Sequence, residues 1–246
     1  RCVQGVLAEL KSEGVLYAEL RFAPGQHCQQ GLSQENVVAA ACRALAEGCR
    51  TLGIQAQLIL CCMRGAPDAQ NAETLRLARE YLGKGVCAAD LAGAEALFPT
   101  RSYAPLFAAV PGLPFTIHAG EADGPESIRA ALAMGAKRIG HGVRCIEDAA
   151  LVAELAQKGI PLEVCPTSNL QTCTFADWAH HPLKTLLKAG VKVTVNSDNR
   201  TVSGTTAQKE MALAAQHLGL SAADAAFLPE AQKQALRATV QARLAG

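Results

Sequence analysis

The sequence predicts an α/β fold, a TIM-type (β/α)8 barrel that lacks its first strand unit. Two observations lead to this prediction: the strand-like segments are almost wholly apolar, and a helix-like segment separates each one from the next. Such strands are typical of a parallel sheet covered by helices on both faces. Seven strands can be counted, whereas a closed barrel has eight, so we expect the missing unit to precede residue 1. No linker interrupts the sequence, and residues 1–246 are predicted to form a single domain.

The predicted elements of the first half alternate regularly. A helix over residues 2–12 ends before Gly14, and a strand over residues 15–22 stops at Pro24. Ser33 is a candidate N-cap for the apolar periodicity of residues 37–52. The alternation of Phe115, Ile117 and Ala119 predicts a buried strand. Between these lie a strand over residues 54–63, a helix over 72–82, a strand over 86–91 and a helix over 103–110.

The second half repeats the pattern. A helix over residues 127–134 ends at Gly135, which favours a helix C-terminus. The elements that follow are a strand over residues 138–142, a helix over 147–158, a strand over 161–166, a helix over 182–187 and a strand over 191–196. Helices are predicted to fill the tail from Thr206 to Ala245, with Ser221 and Pro229 as interruptions.

Composition excludes several classes of protein. The formal net charge is +1, and the absence of a basic stripe argues against nucleic-acid binding. No apolar run reaches the 18 or so residues that a membrane span needs, so no membrane partner is expected. The 10 cysteines contain no CxxC pair, which indicates buried thiols in a reducing compartment rather than disulfides. The protein is therefore predicted to be cytoplasmic, and the sequence does not indicate its oligomeric state.

Polar residues collect where the predicted strands end. His118 and Glu121 follow one strand, His141 ends the next, and Asp90 and Asp198 close two others. A single histidine on an apolar strand is more often a satisfied core residue than a ligand. Five such residues at the same end of consecutive strands favour a functional site, because the carboxyl ends of barrel strands carry the chemistry.

These residue types suit metal-assisted hydrolysis. Zn²⁺ accepts histidine nitrogen and aspartate oxygen, and a catalytic Zn²⁺ keeps one position for water. His118 and Asp198 are candidate ligands, Glu121 a candidate proton donor and His141 a candidate for orienting the water. Two ligands do not complete a catalytic zinc site, and at least one further nitrogen ligand is needed.

Three segments together resemble the metal-dependent adenosine deaminase family. They are Phe115-Thr116-Ile117-His118-Ala119-Gly120-Glu121, Arg138-Ile139-Gly140-His141-Gly142 and Val193-Thr194-Val195-Asn196-Ser197-Asp198-Asn199. Further similar segments are Leu16 to Pro24, Ile59 to Arg64, Asp90 to Glu95, Glu163 to Asn169 and Phe227 to Glu230, so the resemblance covers essentially the whole chain. The Asp198-Asn199-Arg200 ending is similar to that of bacterial-type members of the family.

The resemblance implies an eight-stranded barrel with one Zn²⁺ that converts adenosine or deoxyadenosine to inosine or deoxyinosine with release of ammonia. It implies that His118 and Asp198 bind the metal, that Glu121 protonates the purine at N1, and that His141 orients the attacking water. The backbone of Gly93 would face N3 of the purine, and Asp90 would lie near the ligand.

Two departures from the family pattern stand out. The family's first strand carries a His-x-His pair that supplies two more zinc ligands, and no such pair occurs in this sequence. We therefore expect two further histidine ligands from a segment preceding residue 1; the alternative is that the natural protein lacks these two ligands. The family's common Asp-Asp-Pro is here Asp198-Asn199-Arg200. The resemblance implies that the second residue of this segment faces N7 of the purine, where the Asn199 amide can still donate a hydrogen bond.

Three functional hypotheses remain open from the sequence. The first is an adenosine deaminase acting on a purine nucleoside. The second keeps the fold and changes the substrate to adenine or another 6-aminopurine nucleoside. The third is a catalytically inactive, metal-poor barrel fragment. Among the other polar residues, Glu19 and Arg21 are interpreted as a structural ion pair, whereas Arg64 and Ser168 could contact a ligand or cap helices.

Overall fold

The computed structural model describes residues 1–219 of the chain, and within them strands and helices alternate as predicted. Seven strands lie in this part of the chain, which confirms the predicted count: β1 Tyr17–Phe22, β2 Gln55–Met63, β3 Val86–Ala92, β4 Thr116–Ala119, β5 Arg138–His141, β6 Leu162–Val164 and β7 Val193–Val195. The helices predicted beyond residue 219, with Ser221 and Pro229, lie outside the described residues. An eighth strand and closure of the barrel stay predictions.

The α-helices of the same residues flank the strands. They are α1 Cys2–Ser12, α2 Gln34–Leu52, α3 Asp68–Glu80, α4 Ala104–Ala108, α5 Pro125–Ala133, α6 Ala149–Lys158, α7 Pro166–Gln171, α8 Leu183–Lys188, α9 Arg200–Ser203 and α10 Ala207–Leu218. Short 3-10 helices lie at Pro24–His27, Thr100–Tyr103 and Val143–Glu147. The chain divides into two compact units, Arg1–Arg138 and Ile139–Gly246, and a single domain over residues 1–246 stays a prediction.

The first unit is built on parallel strands. β1, β2 and β3 lie side by side in that order, with Leu20 opposite Leu58 and Leu60 opposite Ala89. A parallel bridge from Ala89 to Phe115 brings the segment of β4 next to β3. Leu58 and Ile117 are fully buried, as expected for strands covered on both faces. The carboxyl ends of these strands therefore point in one direction and bring their polar residues to one edge.

The second unit begins within β5 and is itself built on parallel strands. Ile139 of β5 lies opposite Leu162 of β6, and Leu162 lies opposite Val193 of β7. Ile139 and Leu162 are fully buried and Val193 nearly so. His141 is the last residue of β5, and Asp198 follows shortly after β7. The strand order again places the predicted site residues at the carboxyl ends.

Several boundaries differ from the sequence-based prediction for local reasons. The strand predicted over residues 161–166 ends at Val164, and helix α7 begins at Pro166, where the fixed φ of proline suits a first helical turn. Helix α6 begins at Ala149 rather than at residue 147, because the Asp148 carboxylate caps the backbone N–H groups of Ala150 and Leu151. The predicted N-cap at Ser33 is confirmed: its hydroxyl accepts from the backbone N–H of Asn36.

Two helices also begin elsewhere than predicted. Helix α3 starts at Asp68 and ends at Glu80, a few residues earlier than the apolar periodicity suggested. The helix predicted over residues 103–110 is a 3-10 turn at Thr100–Tyr103 followed by the short helix α4. Pro67 and Pro99 precede these starts, and proline is common next to helix N-termini because its N–H is not needed there.

The cysteines are only partly buried, in contrast to the prediction of buried thiols. All 10 lie within the described residues as free thiols; five are buried, two are half-buried, and Cys2, Cys28 and Cys173 are exposed. Burial raises the pKa of the Cys145 thiol to about 12, so this group stays protonated and behaves as a small apolar side chain. Over residues 1–219 we find no helix with the length and apolar character required to cross a bilayer.

Candidate active site

In the first unit, a buried carboxylate fixes the orientation of His118. Asp90, on β3, is fully buried, and its carboxylate lies 2.8 Å from His118 Nδ1 on β4. The backbone N–H groups of Leu91 and His118 donate to the same carboxylate. The Asp90 contact through Nδ1 sets the ring plane, so that Nε2 is the nitrogen suited to a ligand.

The charge on Asp90 is stabilised by its neighbours. Burial by itself would raise the pKa of Asp90, but the interaction with the His118 imidazole and the positive charge of Arg21 hold that pKa well below its usual range. Arg21 Nη1 donates to Asp90 at 3.0 Å. The sequence placed Asp90 near the ligand; its complete burial and its bonds to His118 favour a role in holding His118 over direct contact with substrate.

The predicted pairing of Glu19 with Arg21 requires correction. Both residues form structural ion pairs, but with partners on other strands: Arg21 contacts Asp90 on β3, and Glu19 contacts Arg138 at the start of β5. Residues two apart on a strand share a face, which is why the sequence favoured a pair between Glu19 and Arg21. The parallel register brings charged partners from other strands to that face.

The turn that carries Glu121 is held by a second buried carboxylate. Glu95 is only 5% exposed, and its two oxygens accept from the backbone N–H groups of four consecutive residues, Gly120, Glu121, Ala122 and Asp123. The hydroxyl of Ser127 donates to it as well. Gly120 has φ of +76°, a conformation that glycine adopts without the penalty of a Cβ. Glu121 itself is half-buried at this turn.

Arg64 completes the support of this strand end. Its guanidinium donates to the backbone carbonyl of His118 at 2.6 Å, to the carbonyl of Phe98 and to the hydroxyl of Thr100. Arg64 is 6% exposed. The sequence left open whether Arg64 contacts a ligand or caps a helix. The structure shows a third role, because Arg64 holds the carbonyl of the residue that carries the candidate metal ligand.

Acid should weaken the fold partly through Glu95. Burial would raise the pKa of Glu95, but hydrogen bonds from Ser127 and from the backbone of the turn lower it below its usual value. A depressed folded-state pKa contributes stability above the unfolded-state value of about 4.3, and this contribution is lost as pH falls through the folded-state pKa. Arg64 and Asp123 are the charged groups that border this carboxylate.

We therefore expect the difference in unfolding free energy between wild type and Glu95→Gln to be largest at neutral pH. It should shrink as pH falls below about 4. Urea unfolding at a series of pH values measures this difference, and a difference that stays constant into acid would contradict it. Glu126→Gln, a change of a carboxylate that is 85% exposed, is the control and should leave the acid profile unchanged.

Gly93 lies immediately after β3 in a conformation that favours glycine. Its φ is +106°, and a Cβ built there would come within 3.3 Å of the backbone N of Arg64. Both observations disfavour any other residue. The residue is exposed, so its backbone is open to a ligand at this strand end.

In the second unit, His141 is buried and has an unusual backbone. It is 2% exposed and has φ of +58°, which a residue with a Cβ rarely adopts outside sites that require it. Asn169 Nδ2 lies 3.1 Å from His141 Nδ1. Where the amide N–H donates, Nδ1 accepts, and the neutral ring carries its hydrogen on Nε2. Such a ring can hold an oxygen by donating a hydrogen bond to it.

Asp198 and Asn199 follow β7 in a tight turn. Asp198 also has a positive φ, +44°, and its carboxylate accepts a 2.7 Å hydrogen bond from the hydroxyl of Ser168. Asn199 is the N-cap of α9 and accepts from the backbone N–H of Val202 through Oδ1. Ser168, whose role the sequence left undecided, thus supports Asp198. The cap uses the oxygen of the Asn199 amide and leaves the amide NH2 as its hydrogen-bond donor.

The structure places every predicted site residue at or just beyond the carboxyl end of a strand. The first unit carries His118, Glu121, Asp90 and Gly93, and the second carries His141, Asp198 and Asn199. The supporting roles of Glu95, Asn169 and Glu210 did not emerge from the sequence, although Glu95 and Asn169 end two of the segments that resemble the family. Glu210 is fully buried in α10 and accepts from Thr205 and from the backbone N–H of Thr167. A carboxylate at an apolar position of a helical pattern was the available signal for Glu210.

Comparisons with known proteins find deaminases both among relatives in sequence and among neighbours in structure. A family model described as adenosine deaminase matches residues 1–243. An adenosine deaminase of Haemophilus ducreyi is 48% identical over 98% of this chain and 75% of its own length. The solved structure of an adenine deaminase from Arthrobacter aurescens has a TM-score of 0.84, with 27% identity over 99% of this chain and 78% of that one. An N6-mAMP deaminase from Arabidopsis has a TM-score of 0.79, with 28% identity over 98% and 77%.

Proposed function

Since the chain belongs to the adenosine deaminase family, as its motifs predicted, we propose that it catalyses the hydrolytic deamination of adenosine and deoxyadenosine. A water oxygen bonds to C6 of the purine, the bond from C6 to the exocyclic nitrogen breaks, and ammonia leaves with inosine or deoxyinosine as product. The observation that carries the proposal is the anchored strand end of β4. There the Asp90 carboxylate orients His118, and the buried Glu95 carboxylate holds the turn that carries Glu121.

The residues present fit a zinc cofactor. His118 has its Nδ1 held by a buried carboxylate, an arrangement that recurs behind metal-ligating histidines. Asp198 is an aspartate whose carboxylate accepts from Ser168, and ligating carboxylates are commonly supported in this way. We propose that His118 through Nε2 and Asp198 through its carboxylate bind one Zn²⁺. Two ligands do not complete a catalytic zinc site, which needs further nitrogen ligands besides these.

A bound Zn²⁺ would lower the pKa of a coordinated water towards neutrality and so supply a nucleophile. The residues of the chain do the remaining work. Glu121 gives a proton to N1 of the purine, where negative charge develops as the oxygen adds to C6. His141 orients that oxygen through Nε2–H. The Gly93 backbone faces N3 of the purine, and the Asn199 amide donates to N7.

The direct test is a substrate panel with the purified full-length protein and added Zn²⁺. Loss of the ultraviolet absorbance of adenosine, with inosine and ammonia formed in equal amounts, is the expected result. Adenine belongs in the panel because the Arthrobacter aurescens neighbour is an adenine deaminase, and N6-mAMP because of the Arabidopsis neighbour. Turnover of one of these in preference to adenosine would replace the proposed substrate. Turnover of none by the zinc-loaded protein would favour the third hypothesis, an inactive barrel.

Replacing Asp90 should weaken zinc binding. In Asp90→Asn the amide oxygen can still accept from the Leu91 and His118 N–H groups, but its NH2 then faces Arg21, and the negative charge beside His118 is lost. Removing such a partner of a metal-ligating histidine typically costs about 10- to 100-fold in metal affinity or activity. We expect a loss of zinc affinity in that range, measured by competition with a chromophoric chelator.

The chain offers a matched control for this variant. Asp177 and His180 form the same carboxylate–imidazole pair at 2.7 Å, but with side chains 57% and 70% exposed. Asp177→Asn should leave zinc affinity unchanged. Equal zinc affinities for Asp90→Asn and wild type would contradict the role of Asp90 in holding the ligand.

A further inference from the structure

We propose that Glu95 is a positioning residue for the proton donor: its buried carboxylate fixes the backbone of residues 120–123 and thereby the place of the Glu121 carboxyl group. The inference rests on the proposed deaminase function, because that function gives Glu121 its role. Glu95 need not contact the purine to exert this effect. It acts only through the turn that carries Glu121.

Both carboxylate oxygens of Glu95 accept several hydrogen bonds. Glu95 Oε1 accepts from the Gly120 N–H at 2.6 Å and from the hydroxyl of Ser127. Glu95 Oε2 accepts from the N–H groups of Glu121, Ala122 and Asp123 at 3.1, 2.9 and 3.1 Å. Five donors thus converge on a group with about four lone-pair positions. This convergence uses the full accepting capacity of an ionised carboxylate, and a neutral side chain cannot reproduce it.

The same network also holds the other side of the turn. Arg64 donates both to the carbonyl of His118 and to the hydroxyl of Thr100. The Thr100 hydroxyl lies 2.7 Å from that of Ser127, which in turn donates to Glu95. A continuous chain of hydrogen bonds therefore joins the carbonyl of residue 118 to the N–H groups of residues 120–123. Glu121 lies within a backbone segment that is fixed at both ends.

A purely structural explanation is that Glu95 stabilises the start of helix α5. The N-cap of α5 is Gly124, which provides no side-chain cap, and the buried Ser127 lies in the first turn of the helix. If Glu95 served only this purpose, its loss would lower stability and would reduce binding and turnover together. A positioning role makes a different prediction, because misplacing the proton donor lowers kcat while substrate binding is retained.

Two variants separate these explanations. In Glu95→Gln the amide oxygen can serve the three N–H groups at the Oε2 position, but the amide NH2 then opposes the Gly120 N–H. In Glu95→Asp the charge is kept and the side chain is one methylene shorter, which tests rescue by the conservative change. Displacement of a catalytic group by about 1 Å can cost on the order of 100-fold in rate. We expect Glu95→Gln to lower kcat by about 10- to 100-fold with KM nearly unchanged, and Glu95→Asp to recover part of the loss.

Amide hydrogen exchange provides a readout that does not depend on activity. Peptides that cover residues 118–124 should exchange faster in Glu95→Gln than in wild type, and by a larger factor than peptides from β1 and β2. Glu126→Gln, with its exposed carboxylate one residue before Ser127, is the matched control. It should match wild type in kcat, KM and exchange.

The outcomes are distinct. Normal kcat in Glu95→Gln overturns the inference, and so does a loss in which KM, kcat and exchange across the whole first unit change together. A drop in kcat, together with faster amide exchange that is greatest in residues 118–124, supports the inference. If wild type deaminates no purine of the panel, the proposed function fails. Exchange in the turn then still decides whether Glu95 holds it.

Discussion

Glu121→Gln is expected to lower kcat for adenosine by about 10²- to 10⁴-fold, the usual cost of removing a general acid. The glutamine side chain has nearly the same size and can still donate a hydrogen bond, but it cannot release a proton to N1. The turn that carries the residue is held through backbone N–H groups, so the substitution should leave the surrounding structure intact. Steady-state kinetics with adenosine, together with the Kd for inosine, measure the effect.

The expected pattern is a large loss in kcat with product binding retained. Glu126→Gln removes an exposed carboxylate from the neighbouring helix and should show wild-type kinetics. A Glu121→Gln variant that keeps more than about one tenth of the wild-type kcat would exclude Glu121 as the principal proton donor. Restored turnover on a purine already protonated at N1 would further support the assignment.

The positions of the candidate site residues in the fold could be predicted from the sequence because strand ends are locally encoded. Phe115, Ile117 and Ala119 alternate along a buried strand, and the polar residues His118 and Glu121 appear as that strand ends. In parallel strands the carboxyl ends share one edge, so identifying the strands also located the polar groups. The same argument holds for His141 at the end of β5.

The partners of those residues could not be predicted in this way, because they depend on register between strands. Asp90 was recognised at a strand end, but its contact with His118 follows from the pairing of β3 with the segment of β4. Arg64 contacts the His118 carbonyl across a sequence separation of 54 residues. No local pattern specifies such a distance, and side chains of this length reach several candidate partners.

Glu95 shows the limit most clearly. In the sequence it ends a segment that resembles the family, but nothing there assigns it a partner, and exposed glutamates in loops are common. Only the folded chain shows that four N–H groups of a turn 25 to 28 residues away converge on it. A buried acid in a loop is held by backbone donors whose positions are a product of the fold. Sequence patterns of apolar periodicity contain no information about that convergence.

Removal of His118, one of the two candidate zinc ligands in this chain, should abolish both zinc binding and activity. His118→Asn is the informative substitution, because the asparagine amide nitrogen lies near the position of Nδ1 and can donate to Asp90, whereas no group replaces Nε2. The fold should therefore persist while the metal ligand is lost. We expect zinc content to fall towards zero after dialysis. We also expect activity to fall by more than the roughly 100-fold cost of losing a partner of a ligand.

Zinc content by elemental analysis, turnover of adenosine and thermal unfolding together decide whether His118 is a ligand. His180→Asn is the matched control, because His180 also pairs with an aspartate through Nδ1 but is exposed; it should retain zinc and activity. A His118→Asn protein that unfolds at a much lower temperature would instead indicate that the imidazole mainly supports the core. A folded variant with full zinc content would exclude His118 as a ligand. The expected outcome is a folded protein that has lost its zinc. Because the variant keeps a donor to Asp90 and lacks only Nε2, that result would identify Nε2 of His118 as the atom that binds the metal.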